Sequence, residues 1–247
     1  MLSTKDVISK VARLQSRYAP RDQRMRDVLS VRQGDISKVY PAMFSEDYPK
    51  PLVANFVDVA ARDLAEVMAP LPSFNCAATN MVSDSARKAA DTRTRIANYY
   101  VSGSELQIQM YNGADWFNTY GMLPAMVEMD YENNNPRIRL LNPFGVYPEI
   151  DRFGRCVSIA QVTISDAESL AAQYPEFATQ IMPRQPLASG AQAVTLVRYH
   201  DKDQDLIFIP ERNNLVLSNI PNPVGKCMAR VAVRSSLDGE ARGQFDD

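Results

Sequence analysis

The sequence predicts an α+β protein. Long N-terminal helices pack on an antiparallel β meander, and a short helix and a small β subdomain follow. Three observations predict this. Val7, Val11, Leu14 and Tyr18 recur at spacings of four, three and four, which places them on one face of a helix. Between Met122 and Leu140 the period changes to two: Ala125, Val127, Met129 and Tyr131 alternate with Met126, Glu128 and Asp130, and Ile138 and Leu140 alternate with Arg137 and Arg139. Between these runs lies Asn133-Asn134-Asn135-Pro136, in which Asn tolerates left-handed backbone and Pro pre-sets φ.

The first helix covers residues 4–29. Ser3 is its N-cap and Asp6 sits in its first turn. Pro20 has no N–H to donate, so a kink or break is expected there. Beside the apolar stripe runs a basic one: Lys10, Arg13, Arg17, Arg21 and Arg24. It is a candidate contact for phosphate or an acidic partner. The plainer reading is a solvated face balanced by Asp22 and Asp27.

Residues 33–50 carry Gly34, Pro41 and Pro49 and read as a loop whose aromatics Tyr40, Phe44 and Tyr48 dock on its own domain; the alternative is that they anchor a contact between subunits. Residues 51–69 give the clearest helix. Val53, Phe56, Val57, Ala60, Leu64, Val67 and Met68 form a broad apolar stripe opposite Asn55, Asp58, Arg62 and Glu66. The stripe predicts a core helix, with Arg62 and Glu66 paired on its outside. A second long helix starts after Ser83 and is interrupted near Gly103. Its continuation ends in Trp116, Phe117 and Tyr120, a cluster of core type rather than a base-stacking platform.

The meander follows. Residues 122–141 read as a hairpin, Asp151 to Gly154 as a turn, and 156–164 as a third strand. Ser165 with Glu168 forms a capping box for a short helix that Tyr174-Pro175 stops. Residues 183–192 are a linker by composition. Residues 194–199 and 205–209 are strands around Asp201-Lys202-Asp203, 215–217 add a third, and 228–233 a last one. The domains predicted are 1–164, a linking helix and linker over 165–192, a small β subdomain over 193–233, and a polar tail over 234–247 that begins a further C-terminal part.

Composition sets broad limits. With 45% apolar and 23% charged residues, the 247-residue chain is of ordinary globular type. A formal net charge of −2 is not that of a cationic nucleic-acid coat. Cys76, Cys156 and Cys227 are odd in number and contain no CxxC, which fits a reducing compartment rather than a disulfide framework. No stretch approaches the roughly 18 apolar residues of a membrane span. The one histidine, His200, stands beside Asp201 along a strand, so the two side chains face opposite ways and form no dyad. No phosphate-binding or dinucleotide-binding glycine motif occurs. The expectation is therefore no enzyme, no cofactor and no metal.

At 140–164 the chain resembles the wing-domain segment of tailed-bacteriophage portal proteins. The residues that carry the resemblance are Asn142-Pro143, Val146-Tyr147-Pro148, Asp151, Gly154 and, after a short helix, Tyr174-Pro175. The segment PLVANFVDVAARDLAEVMAP is similar to portal proteins of actinobacteriophage type. The resemblance implies that 1–164 is wing, that 165–192 is stem-like, and that 193–233 is a clip-like subdomain. It implies a virion protein assembled in the host cytoplasm, a homo-oligomeric ring of about twelve subunits at one capsid vertex. Its partners would be the major capsid protein, terminase, a head–tail adaptor and the double-stranded DNA passing through the channel. In a clip, Leu196, Arg198, Ile207, Ile209 and Arg212 are the expected contacts between subunits or with a partner; the alternative for these strands is that they extend the intrachain sheet of 122–164. Two other readings compete: a head–tail adaptor or other virion interaction protein, and a nucleic-acid-binding module that uses the Lys10–Arg24 stripe.

Overall fold

The structure, a computed structural model, describes residues 2–35, 55–71, 73–130, 133, 135–182 and 193–234. The helices are α1 (Thr4–Arg32), α2 (Phe56–Met68), α3 (Asp84–Gly103) and α4 (Leu106–Tyr120). Four strands follow: β1 (Met122–Asp130), β2 (Asn135–Leu140), β3 (Val146–Ile150) and β4 (Cys156–Asp166). Next come α5 (Ala167–Gln173) and α6 (Ala178–Ile181), joined by one 3-10 turn. The remaining strands are β5 (Ala193–Asp201), β6 (Gln204–Ile209), β7 (Leu215–Pro221) and β8 (Ala229–Val233). The α+β class with a long N-terminal helix is the one the sequence predicts. The docking assigned to Tyr40, Phe44 and Tyr48, the 183–192 linker and the polar tail lie outside the described residues.

The chain forms two compact units, and their boundaries differ from the predicted domains. The first takes residues up to Ala19 and Phe144–Ala229; the second takes Pro20–Pro143 and the strand residues from Arg230. The predicted meander is therefore not one sheet. β1 and β2 form the expected hairpin, with Asp130 opposite Asn135, but β8 pairs on the other side of β1. β3 and β4 belong to a separate five-stranded sheet of order β3-β4-β5-β6-β7. The strands predicted as a small clip-like subdomain continue this sheet, as the alternative reading of them has it: β5 pairs with β4 from Asp201 opposite Ser158 to Ala193 opposite Asp166. β4 supplies the hydrogen-bonding edge that a free ribbon would lack.

In the first unit, strand parity divides the side chains between the two faces of the sheet. Tyr147, Ala160, Val197, Tyr199, Leu206 and Phe208 face Val7, Val11, Leu14 and Tyr18 of α1. The small Ala160 lies between Tyr147 and Tyr199 in one cross-strand row, and Tyr18 packs above it with its ring 5.9 Å from Tyr147. Tyr18 also donates to the Pro148 carbonyl at 2.8 Å. Val194, Ile209, Leu217, Leu196 and Ile207 gather instead with Ala167 and Leu170 of α5 and Ile181 of α6.

Local signals act mostly as the sequence predicts. Ser3 Oγ accepts from Asp6 N, and Ser83 caps α3 through Ala86 N. α1 continues through Pro20 rather than ending there, and Pro20 is where the chain passes from one unit to the other. α3 and α4 are separated at Ser104-Glu105, with Glu105 at φ 51. The cap of α5 is Asp166, one residue later than predicted, and it accepts from Ser169 N at 3.0 Å.

In the second unit, β1 has the expected period but the opposite phase. Met122, Pro124 and Met126 are buried, whereas Ala125 and Val127 are half-buried and Met129 is exposed. Leu123 and Leu140 lie over Gly113 of α4, where an added Cβ would fall 2.6 Å from Leu140 Cδ1. Both faces of the strand are thus partly covered, so composition alone does not reveal which is deeper. Trp116, Phe117 and Tyr120 of α4 are half-buried.

Candidate functional site

The basic stripe on α1 does not form one open surface. At roughly 100° per residue, Lys10 and Arg21 fall within about 40° of Leu14 on the buried seam, and Arg13, Arg17 and Arg24 lie further round. The structure follows this geometry. Lys10 Nζ is 2.6 Å from Glu149 Oε2 and donates to Tyr199 OH at 3.0 Å. Burial alone would lower the lysine pKa, but Glu149 and Tyr199 outweigh it and hold it above the usual value. Burial likewise pushes Glu149 up, and hydrogen bonds from Lys10 and Ser158 bring it below the usual carboxylate range. Tyr199 in turn donates to Asp201 at 3.0 Å. Arg21 is buried, 2.6 Å from Asp22, with Nη1 3.4 Å from Met122 Sδ. Arg24 is half-buried and also has an interaction. Arg13 and Arg17 are exposed and, with Leu14, Ser16 and Glu149, line a cleft of about 610 Å³. That leaves two guanidinium groups one turn apart, rather than a stripe of five cations.

The residues expected to contact a neighbouring subunit are mostly engaged within the chain. Ile209 is fully buried, and Leu196 and Ile207 pack on the α5–α6 cluster. Arg212 Nε donates to the Ile181 carbonyl at 3.0 Å. Arg198 grips Asp205 through Nε at 3.0 Å and Nη2 at 2.6 Å. Leu196, Ile207, Ile209 and Arg212 hold the sheet to α5 and α6, and Arg198 holds β5 to β6.

His200 has a partner other than its neighbour Asp201. It stands opposite Asp205 across the β5–β6 hairpin, with Nδ1 3.6 Å from Asp205 Oδ2. Its Nε2 accepts the Met228 backbone N–H at 3.2 Å. The nitrogen that would serve as a base is thus occupied by the main chain, and the ring is buried. Burial pushes the Asp205 pKa up, but His200 and Arg198 beside it outweigh burial and bring it from 3.8 down to about 2.

A carboxylate with a depressed folded pKa stabilises above its unfolded pKa, and that contribution fades as pH falls towards about 2. Asp205→Asn is expected to lower stability at pH 7 by roughly 2 kcal/mol and to flatten the acid limb between about pH 4 and pH 2. Urea titrations at pH 7, 4 and 3 check this; parallel curves for variant and parent would contradict it.

The unforeseen surface is in the second unit. The apolar stripe of α2, predicted as core, is largely open: Phe56 is 77% and Val67 76% exposed, and only Ala65 is buried. Val57, Val59, Leu64 and Met68 are also exposed. α2 packs on α4, and Ala65 is its one buried residue, so among the described residues the wide apolar face stays largely uncovered. Ile96 and Tyr99 of α3 and Ile108 of α4 add exposed apolar groups to the same unit. Arg62 pairs with Asp58 at 2.8 Å, not with Glu66. The helices also differ in charge. α2 has three carboxylates against Arg62, whereas α3 has four basic residues against Asp84 and Asp91. Apolar patches of this extent mark interaction sites.

No protein-family model matches the chain, and no curated protein matches its sequence. Among the described residues, no group of three or more His, Cys, Asp or Glu side chains is placed to hold a metal ion. No described helix is long and apolar enough to cross a membrane.

Proposed function

We propose that the chain is an assembling structural subunit of a virion, of the portal type. Copies of it close into a ring at a capsid vertex and frame the passage for DNA. The observation that carries the reading is the open apolar face of α2, together with the opposite charge of α2 and α3. A face that is acidic on one helix and basic on another fits head-to-tail association, and head-to-tail contacts close into rings when the rotation allows. The residues behind the portal resemblance have turn-forming roles in the fold. Asp151 Oδ1 accepts from Phe153 N and Arg155 N, both at 2.8 Å, and Gly154 takes φ 77. In such a ring α2 and α3 make the contact between subunits in place of Leu196, Arg198, Ile207, Ile209 and Arg212. Capsid protein, terminase and adaptor are the partners that this reading implies. The nucleic-acid-binding alternative loses Lys10 and Arg21 to intrachain partners.

Assembly and folding separate in the test. Val67→Glu is expected to change the stability of the isolated chain by less than about 0.5 kcal/mol, as at other exposed sites. It should nevertheless abolish oligomers seen by native mass spectrometry and negative-stain imaging. Glu66→Lys with Asp63→Lys should weaken assembly, and Arg93→Glu with Arg95→Glu on the same chain should restore part of it. A chain that oligomerises equally well with Val67→Glu would remove the proposed interface.

A further inference from the structure

The three cysteines do not have equivalent surroundings. Cys76 is exposed. Cys156, at the start of β4, and Cys227, just before β8, are buried at 6% and 7% exposure. Their sulfurs lie 4.0 Å apart although 71 positions separate them in sequence. The loop that carries Cys227 is fixed at both ends to the β5–β6 hairpin. At its start, Asn222 Nδ2 donates to the Asp201 carbonyl at 2.7 Å, and Asn222 N to the Asp203 carbonyl at 3.0 Å. At its end, Met228 N donates to His200 Nε2. Between these ties, Pro223 to Lys226 are exposed. Within the loop Asn222 Nδ2 also donates to the Lys226 carbonyl at 2.8 Å and Asn222 Oδ1 accepts from Val224 N at 3.0 Å, so these ties hold Cys227 opposite Cys156. A disulfide needs sulfurs about 2.05 Å apart, so closure requires an approach of roughly 2 Å.

We propose that Cys156 and Cys227 are an oxidative modification site, closing to an intrachain disulfide that ties the 222–228 loop to the head of β4. The oxidant is a small disulfide such as oxidised glutathione. One cysteine thiolate attacks it and releases one reduced glutathione, leaving a mixed disulfide. The second cysteine attacks that bond and releases the other. The protein gives up two protons and two electrons and gains one S–S bond, and the two glutathione molecules carry both away.

The test uses the full chain with Cys76→Ser, incubated with oxidised glutathione. Its intact mass should fall by about 2 Da, and peptide mapping should join Cys156 to Cys227. The thermal midpoint should rise by roughly 5–15 °C and return on adding dithiothreitol, because the bond closes a long loop. Cys156→Ser and Cys227→Ser should each stop at a glutathione adduct or show no change. Asn222→Ala, which removes the side-chain ties to Asp201 and Lys226 and keeps the backbone one to Asp203, should slow closure severalfold relative to the parent. Adducts without the link, or a link formed as fast with Asn222→Ala as without it, would overturn the proposal. So would thiols that remain reduced after mild urea has opened the loop; they would be small apolar fillers only.

Discussion

Arg32→Ala is expected to destabilise the second unit by about 3–5 kcal/mol, the range for breaking a buried ion pair by removing one partner. The side chain is only 11% exposed and joins three helices. Its Nε and Nη2 donate to Asp58 of α2 at 3.0 and 2.7 Å. Its Nη1 donates to both oxygens of Asp115 of α4, at 2.8 and 3.0 Å, and to Thr119 Oγ1 at 2.6 Å. The Arg32 carbonyl accepts from Asn55, which caps α2. Burial disfavours the charge, yet Asp58 and Asp115 outweigh it and raise the guanidinium pKa further. Alanine takes Arg32 away from Asp115 and leaves Asp58 with the largely exposed Arg62. Lysine should recover only part of the loss, because a point charge cannot reproduce the planar fork. The control is Arg62→Ala, which removes a largely exposed partner of the same Asp58 and should cost less than about 1 kcal/mol. Urea denaturation of the three variants decides; equal losses for Arg32 and Arg62 would contradict the three-helix role.

Gly145→Ala should have an effect of similar size in the first unit, about 3–5 kcal/mol. Gly145 sits at φ 73, where an added Cβ would lie 2.2 Å from the Val162 carbonyl oxygen. That oxygen belongs to the backbone of a central strand, and Val162 N is already bonded to the Gly145 carbonyl at 2.7 Å. Neither side has room to yield. Gly225→Ala tests the backbone contribution alone: its φ is 65, but nothing lies within 4 Å of the new Cβ. It should cost only about 1 kcal/mol. Thermal unfolding of the two variants side by side measures the difference, and matched midpoints would mean that β4 gives way.

These two residues also mark the limit of what the sequence discloses. The seam of α1 is legible, because Val7, Val11, Leu14 and Tyr18 fix a helical face by local spacing, and all four are buried. The β1–β2 hairpin and the Asp151–Gly154 turn are legible for the same local reason. Sheet membership is not. The departure of β3 from β2 and the return of β8 to β1 are set by pairings between distant residues, which period-two patterns do not encode. The stripe on α2 was legible as apolar but not as open, since periodicity reports a face that wants a partner and not which molecule supplies it. The contacts of Arg32 with Asp58 and Asp115 span 26 and 83 positions. The Cys156–Cys227 pair and the Arg198–Asp205–His200 cluster also appear only once register is known. The Asp201-Lys202-Asp203 turn offered the one usable hint, because a tight hairpin there places His200 opposite Asp205.

The α1 stripe has a consequence for the order in which the protein is made. Its partners begin at Phe144, about 125 positions after Ala19. At 5–20 residues per second, a ribosome takes about 6–25 s to cover that distance. Throughout that interval Val7, Val11, Leu14 and Tyr18 have no sheet to cover them. The hairpin of β1 and β2 and the helices before it are complete first. This helix is thus made well before the strands that cover its seam, and during the wait that apolar seam is open to a chaperone.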